Sequence, residues 1–147
     1  MTGVQTCALP ICVSAAVRRT NVHAVMGIGG APEGVLTAAA LRCLNGGMEG
    51  RLVPAKPGPE ERKKFEERLR GMGITDPNRI YGERDLAPGS NILFAASGVT
   101  DGSMMRGVRF FGHGSRTTSL VMALSEHLIR FVETVHLDGS PDVVVEF

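Results

Sequence analysis

The stretch MGIGGAPEGV, residues 26–35, packs four glycines, one proline and one acid into ten positions. The apolar residues before it, 22–28 in VHAVMGIG, predict a buried strand. Those after it, 32–45 in PEGVLTAAALRCLN, predict a helix. Glu33 then falls in the first turn of a helix that begins where a strand ends. In open α/β sheets ligands bind at that kind of junction.

The rest of the composition narrows the possibilities. A chain of 147 residues can bury one core but not comfortably two. With 43% hydrophobic and 21% charged residues and a net charge of +1, it has no electrostatic basis for binding nucleic acid or an anionic membrane. No apolar run approaches the roughly 20 residues of a membrane helix. Cys7, Cys12 and Cys43 fit neither a disulfide framework nor a paired metal site, and a reducing cytoplasm is the expected compartment. Cys43 lies in the apolar helix and reads as a small buried hydrophobe. His23, His113, His127 and His136 show no metal-binding spacing.

Residues 1–11, MTGVQTCALPI, carry no period and no charge, and the basic start of a signal peptide is missing. They match, residue for residue, the translation of a common sequencing-library adapter whose leftover T opens the Cys12 codon. Residues 1–12 are therefore expected to be non-native. Residues 13–147 are expected to be the C-terminal part of an α/β domain that began further upstream.

Along that part, 13–20 (VSAAVRRT) predicts a short helical piece. The helix over 32–45 is apolar nearly all round, which predicts deep burial, and Gly46 and Gly47 stop it. Residues 50–55 predict a strand. Residues 57–73 predict a solvated helix with an apolar stripe of Phe65, Leu69 and Met72. Its spacing pairs Glu60 with Lys64, Lys63 with Glu67 and Glu66 with Arg70. Strands are predicted at 79–82 and 91–97, a helical turn at 83–87 and a second strand-end turn at 98–102. The extended runs that follow break at Ser125 to His127, which predicts an antiparallel hairpin, and 142–147 (DVVVEF) predicts an edge strand. The expected fold class is α/β, a mixed sheet flanked by helices, parallel-like up to Ser97 and hairpin-rich after it.

Chemistry converges on residues 29–34. Glycines allow close backbone approach and positive φ. Pro32 suits the first helical position, and the free amides of a helix start favour an anion. Glu33 has two readings. Its carboxylate can merely complement the helix dipole, worth ~0.3–1 kcal/mol, or it can reach a divalent metal that in turn holds a phosphate. A dinucleotide fingerprint fails, because Pro32 stands where G-x-G-x-x-G needs glycine or alanine, and no acid follows at the expected distance.

VHAVMGIGGAPEGVLTAAALRCL followed by GRLVP closely resembles the class II fructose-1,6-bisphosphatases, the bacterial family distinct from the animal-type enzyme. NILFAASGVTDG, GVRFFGHGSRTTSLVM and IRFVETVH resemble the same family in the same order, from about residue 13 to 136. The resemblance implies the layered αβαβα fold of the lithium-sensitive sugar phosphatases. It also implies hydrolysis of the 1-phosphate of fructose 1,6-bisphosphate with Mn²⁺ or Mg²⁺, and a homo-oligomer when full length. In the family's pattern the acid of GGAPEG is a metal ligand, which is Glu33 here, and the glycine three before it contacts substrate, which is Gly30.

Other metal-binding acids and substrate loops of that family lie upstream of VSAAV and have no counterpart here, so no catalytic residue is assigned and the chain alone is expected to be inactive. His113 stands where the family carries a glycine and reads as an exposed loop residue. The competing reading is a Rossmann-like nucleotide-binding module without catalysis. A fragment of this kind is expected to leave apolar surface uncovered.

Overall fold

The computed structural model describes residues 9–102 and 104–137. In chain order the elements are α1 (Leu9–Ser14), α2 (Ala31–Cys43), β1 (Glu49–Arg51), α3 (Pro59–Gly71), β2 (Ile80–Gly82), α4 (Glu83–Leu86), β3 (Leu93–Ser97), β4 (Arg109–Phe111), β5 (Gly114–Ala123) and β6 (Leu128–Leu137). The chain is an α/β fold with sheets flanked by helices. Every described strand pairing is antiparallel, which corrects the parallel arrangement expected up to Ser97. The expected edge strand at 142–147 lies outside the described residues, as does Cys7.

β5 organises the larger sheet. One edge pairs first with β4 and then with β3; the other pairs along its whole length with β6. The β5–β6 turn falls where the sequence breaks, with His127 in the left-handed region at φ 50°. Side chains alternate across a strand, so Leu120 and Met122 share a face, opposite Ala96 and Phe94 of β3. That face meets α1 and α2. Val13, Ala40, Phe94, Leu120 and Met122 are buried there, with Ala39, Cys43, Leu44, Ala96, Met104 and Met105 packed around them. Cys43 is half-buried, and burial pushes its thiol upward against the lowering charge of Arg42. The thiol stays protonated and packs against the edge of the core, half-buried where full burial was expected.

α2 begins and ends for identifiable reasons. At its C-terminus the Gly46 N–H donates to the Leu41 carbonyl at 2.8 Å, the long bond of a Schellman cap. The left-handed residue of that cap is Asn45, at φ 54°, and not Gly46 or Gly47. Gly46 serves close approach instead. A β-carbon there would stand 2.8 Å from both the Ala16 Cβ and a Leu41 methyl. Arg42 clamps the end of α4 by donating from Nη1 to the carbonyls of Ala87, at 2.6 Å, and Gly89.

Four local expectations change. Residues 22–28 form no strand: none of the described residues pairs with them, and a strand without a ladder partner leaves its amides and carbonyls unsatisfied by protein. Met26 and Ile28 are 97% and 92% exposed. α2 is buried on one side only, through Thr37, Ala38, Ala40 and Leu41, while Val35 and Leu36 face outward. On α3 the ion pairs are Arg62 with Glu66 and Glu61 with Lys64, not the three expected, and of the apolar stripe Leu69 is buried while Met72 is exposed. Residues 13–20 hold only the end of α1, followed by turns that Thr20 ties back through its hydroxyl to the Ser14 and Val17 carbonyls.

β1 and β2 form a separate two-stranded ladder, and α4 follows β2 directly. Among the described residues no helix is long and apolar enough to cross a membrane.

Candidate functional site

Gly30 is the N-cap of α2, with extended backbone at φ −72° and ψ 152°, and its carbonyl accepts the Gly34 N–H at 3.1 Å. The helix begins at Ala31, so Pro32 occupies the second helical position and not the first. Its lack of an N–H costs nothing there either, since the first four helix amides have no intrahelical acceptor. Glu33 is thus the third helical residue, in the first turn as the sequence indicated.

From that position a glutamate can fold back toward its own N-cap, and Glu33 does. Its carboxyl carbon lies 3.1 Å, and Oε1 3.4 Å, from where a β-carbon on residue 30 would be. The space that glycine leaves at 30 is filled by the carboxylate. Gly27, Gly29 and Gly34 face open space, and none of the four glycines uses a positive φ. Close approach, and not left-handed backbone, is what this turn asks of Gly30.

Among the described residues the Glu33 side chain makes no cap hydrogen bond and no ion pair. It is an exposed carboxylate beside the helix-start amides, which have no intrahelical acceptor, at the positive end of a thirteen-residue helix. That donor chemistry fits a hard divalent cation as one ligand. Among the described residues no three or more His, Cys, Asp or Glu side chains gather closely enough to complete such a site.

The other acid at a strand-end turn, Asp101, is already engaged. Its carboxylate accepts from Arg109 Nη2 at 2.7 and 2.9 Å and from the Gly107 amide at 2.9 Å. Those two donors hold its carboxyl below the usual carboxylate range, with the charge of Arg106 adding to the effect. His113 is exposed in the β4–β5 turn, as expected of a loop residue.

So the structure brings together the two residues singled out from the sequence, Gly30 and Glu33, in one helix start. The order of motifs around that start is shared with known proteins. Residues 7–136 match the family described as bacterial fructose-1,6-bisphosphatase, glpX-encoded.

The chain belongs to that family.

Curated relatives named D-fructose 1,6-bisphosphatase class 2/sedoheptulose 1,7-bisphosphatase agree with this. The protein of Microcystis aeruginosa is 49% identical over 138 residues, covering 90% of this chain and 40% of its own length. That of Synechocystis sp. is also 49% identical over 138 residues, with the same two coverages. That of Synechococcus elongatus is 52% identical over 124 residues, covering 80% of this chain and 36% of its own. This member of the bacterial bisphosphatase family therefore spans about 40% of the length of the relatives it matches.

Proposed function

We propose that this chain supplies part of the active site of a metal-dependent fructose-1,6-bisphosphatase. Glu33 is one ligand of a Mn²⁺ or Mg²⁺ ion, and Gly30 is a backbone contact for the sugar bisphosphate. The reaction is hydrolysis of the 1-phosphate of fructose 1,6-bisphosphate. A water oxygen bonds to phosphorus, the bond from phosphorus to the sugar's O1 breaks, and O1 takes up a proton. The products are fructose 6-phosphate and inorganic phosphate.

One observation carries this reading: the Glu33 carboxylate is folded over Gly30 at an amide-lined helix start, with no hydrogen bond or ion pair of its own among the described residues. The same posture also suits the helix dipole; what favours a ligand role is that the carboxylate is exposed and makes no cap hydrogen bond. Family membership and relatives at 48–52% identity support the substrate class. When bound, the ion would supply Lewis-acid charge and a more acidic water. The chain's own groups do the rest: the α2 amides would face the anion, the absence of a side chain at Gly30 leaves room for the Glu33 carboxylate against the backbone, and Glu33 would hold the cation beside the anion.

One carboxylate cannot assemble a two-metal site, and among the described residues no group of three or more His, Cys, Asp or Glu side chains stands with Glu33. The 147-residue chain by itself is therefore expected to release no phosphate, and Mn²⁺-dependent release from it would overturn that expectation. In an enzyme of the relatives' length that carries this chain, Glu33→Gln should lower Mn²⁺-dependent phosphate release by about a hundredfold or more, the loss of one metal ligand, with the fold intact. Retained activity would return Glu33 to the role of dipole complement. The names of the relatives also favour testing sedoheptulose 1,7-bisphosphate in the same assay.

A further inference from the structure

A second concentration of charge lies on the β4–β5 corner and involves neither Gly30 nor Glu33. Arg109 of β4 and Arg116 of β5 are register partners, so their side chains leave the same face of the sheet. Like charges directly opposite each other destabilise a sheet. Arg106 joins them at the rim of a cavity of about 290 Å³ that all three line, with Phe111, Thr118 and Glu133 among its other walls. Phe111 follows Arg109 by two residues and therefore shares its face.

Internal carboxylates only partly balance this charge. Asp101 takes both of its Arg109 bonds from Nη2, and among the described residues Nη1 and Nε of that guanidinium make no hydrogen bond. Glu133 stands 3.6 Å from Arg116 Nη1, an ion pair without a hydrogen bond. Arg106 makes no hydrogen bond or close ion pair among the described residues, and its charge reaches Asp101 only through space. Three guanidinium groups thus line one opening together with one carboxylate, Glu133, while Asp101 engages Arg109 from outside it, and among the described residues most of their N–H donors make no hydrogen bond.

We propose that this cavity binds a small phosphate monoester, its phosphate held by Arg106, Arg109 and Arg116 and its organic part resting on Phe111. Planar guanidinium forks match phosphate oxygens bidentately. A phosphate offers three terminal oxygens to three arginines, where a carboxylate offers two in one plane. The cavity is near the lower limit of small-molecule sites, which suits a compact ester.

The test is a titration of the 147-residue chain with phenyl phosphate and with inorganic phosphate, followed by the arginine Nε–H resonances. Sodium chloride at matched ionic strength is the blank. Saturable shifts at Arg106, Arg109 and Arg116 are expected, with phenyl phosphate binding more tightly than inorganic phosphate. Arg116→Gln and Arg106→Gln should each weaken binding about tenfold, the loss of one charge-assisted contact. Arg106 lies outside every strand, so its variant keeps the β5 ladders intact if the Arg116 variant fails to fold. Shifts no larger than those in chloride would overturn the proposal, as would unchanged binding in Arg106→Gln, or shifts confined to the amides of residues 27–34.

Discussion

The carboxyl carbon of Glu33 lies 3.1 Å from the point that a β-carbon on residue 30 would occupy, and one of its oxygens lies closer still. The backbone at 30 is ordinary extended geometry that alanine adopts freely. What Gly30→Ala would disturb is therefore the carboxylate and not the chain. The obstacle is the mobile end of a side chain, so the fold should lose no more than about 1 kcal/mol. Thermal unfolding of this chain should shift by only a few degrees, roughly 2–5 °C. In the complete enzyme, Mn²⁺-dependent phosphate release should fall far more than that small shift implies. Equal loss of stability and activity would mean that the posture of Glu33 has no part in the chemistry.

Gly46→Ala should behave in the opposite way. Its β-carbon would meet the Ala16 Cβ and a Leu41 methyl at 2.8 Å, and both neighbours belong to the packed junction of α2 with the segment after α1. Overpacking of this kind costs about 1–3 kcal/mol. Chemical denaturation should show a lowered midpoint with an unchanged slope.

These two glycines also show how far the sequence could be read. The helix start at Gly30 was legible, because glycines, proline and acid are local signals acting on local amides. So were the hairpin break before Leu128 and the short elements at 80–86, each fixed by its own turn chemistry. Residues 22–28 were misread because apolar content announces burial without naming the partner, and a strand exists only by pairing. The ion pairs of α3 were misplaced for a similar reason: several i,i+3 and i,i+4 alternatives differ by tenths of a kcal/mol, and long side chains settle among them. The meeting of Arg109 with Arg116 needed the register of two strands, which spacing along the chain does not contain.

Register also separates two apolar residues that look alike in sequence. Leu120 and Phe131 are directly paired across β5 and β6 and share a face, yet Leu120 is 2% exposed and Phe131 63%. The helices cover the β3–β5 half of that face, and β6 lies beyond them. Leu120→Ala should therefore cost about 2–5 kcal/mol, while Phe131→Ser should change stability by no more than about 0.5 kcal/mol. Phe131→Ser should also raise the concentration at which the chain stays dispersed, since it removes exposed apolar surface on a strand whose other edge has no partner among the described residues. Light scattering alongside denaturation would measure both effects.

Asp101 makes the loop before β4 sensitive to acid. Its carboxyl is held below the usual range by Arg109 and by the Gly107 amide. A group whose folded-state pKa is depressed contributes stability that is fully present above its unfolded value and is lost as pH falls through the folded one. The contribution is thus intact at neutral pH and disappears in acid, below the ordinary carboxylate range. Asp85, held down by the Gly82 amide and Arg79, adds a second step of the same sign. Asp101→Asn should lower stability at neutral pH and flatten the acid limb of the stability curve without abolishing it, because Asp85 remains. Salt should narrow the difference between wild type and variant, since the pair with Arg109 is exposed and screened. Thermal unfolding followed from neutral into acidic pH, at low and high salt, would read all three effects. An acid limb identical in wild type and Asp101→Asn would show that the Arg109 contact contributes nothing to holding the loop.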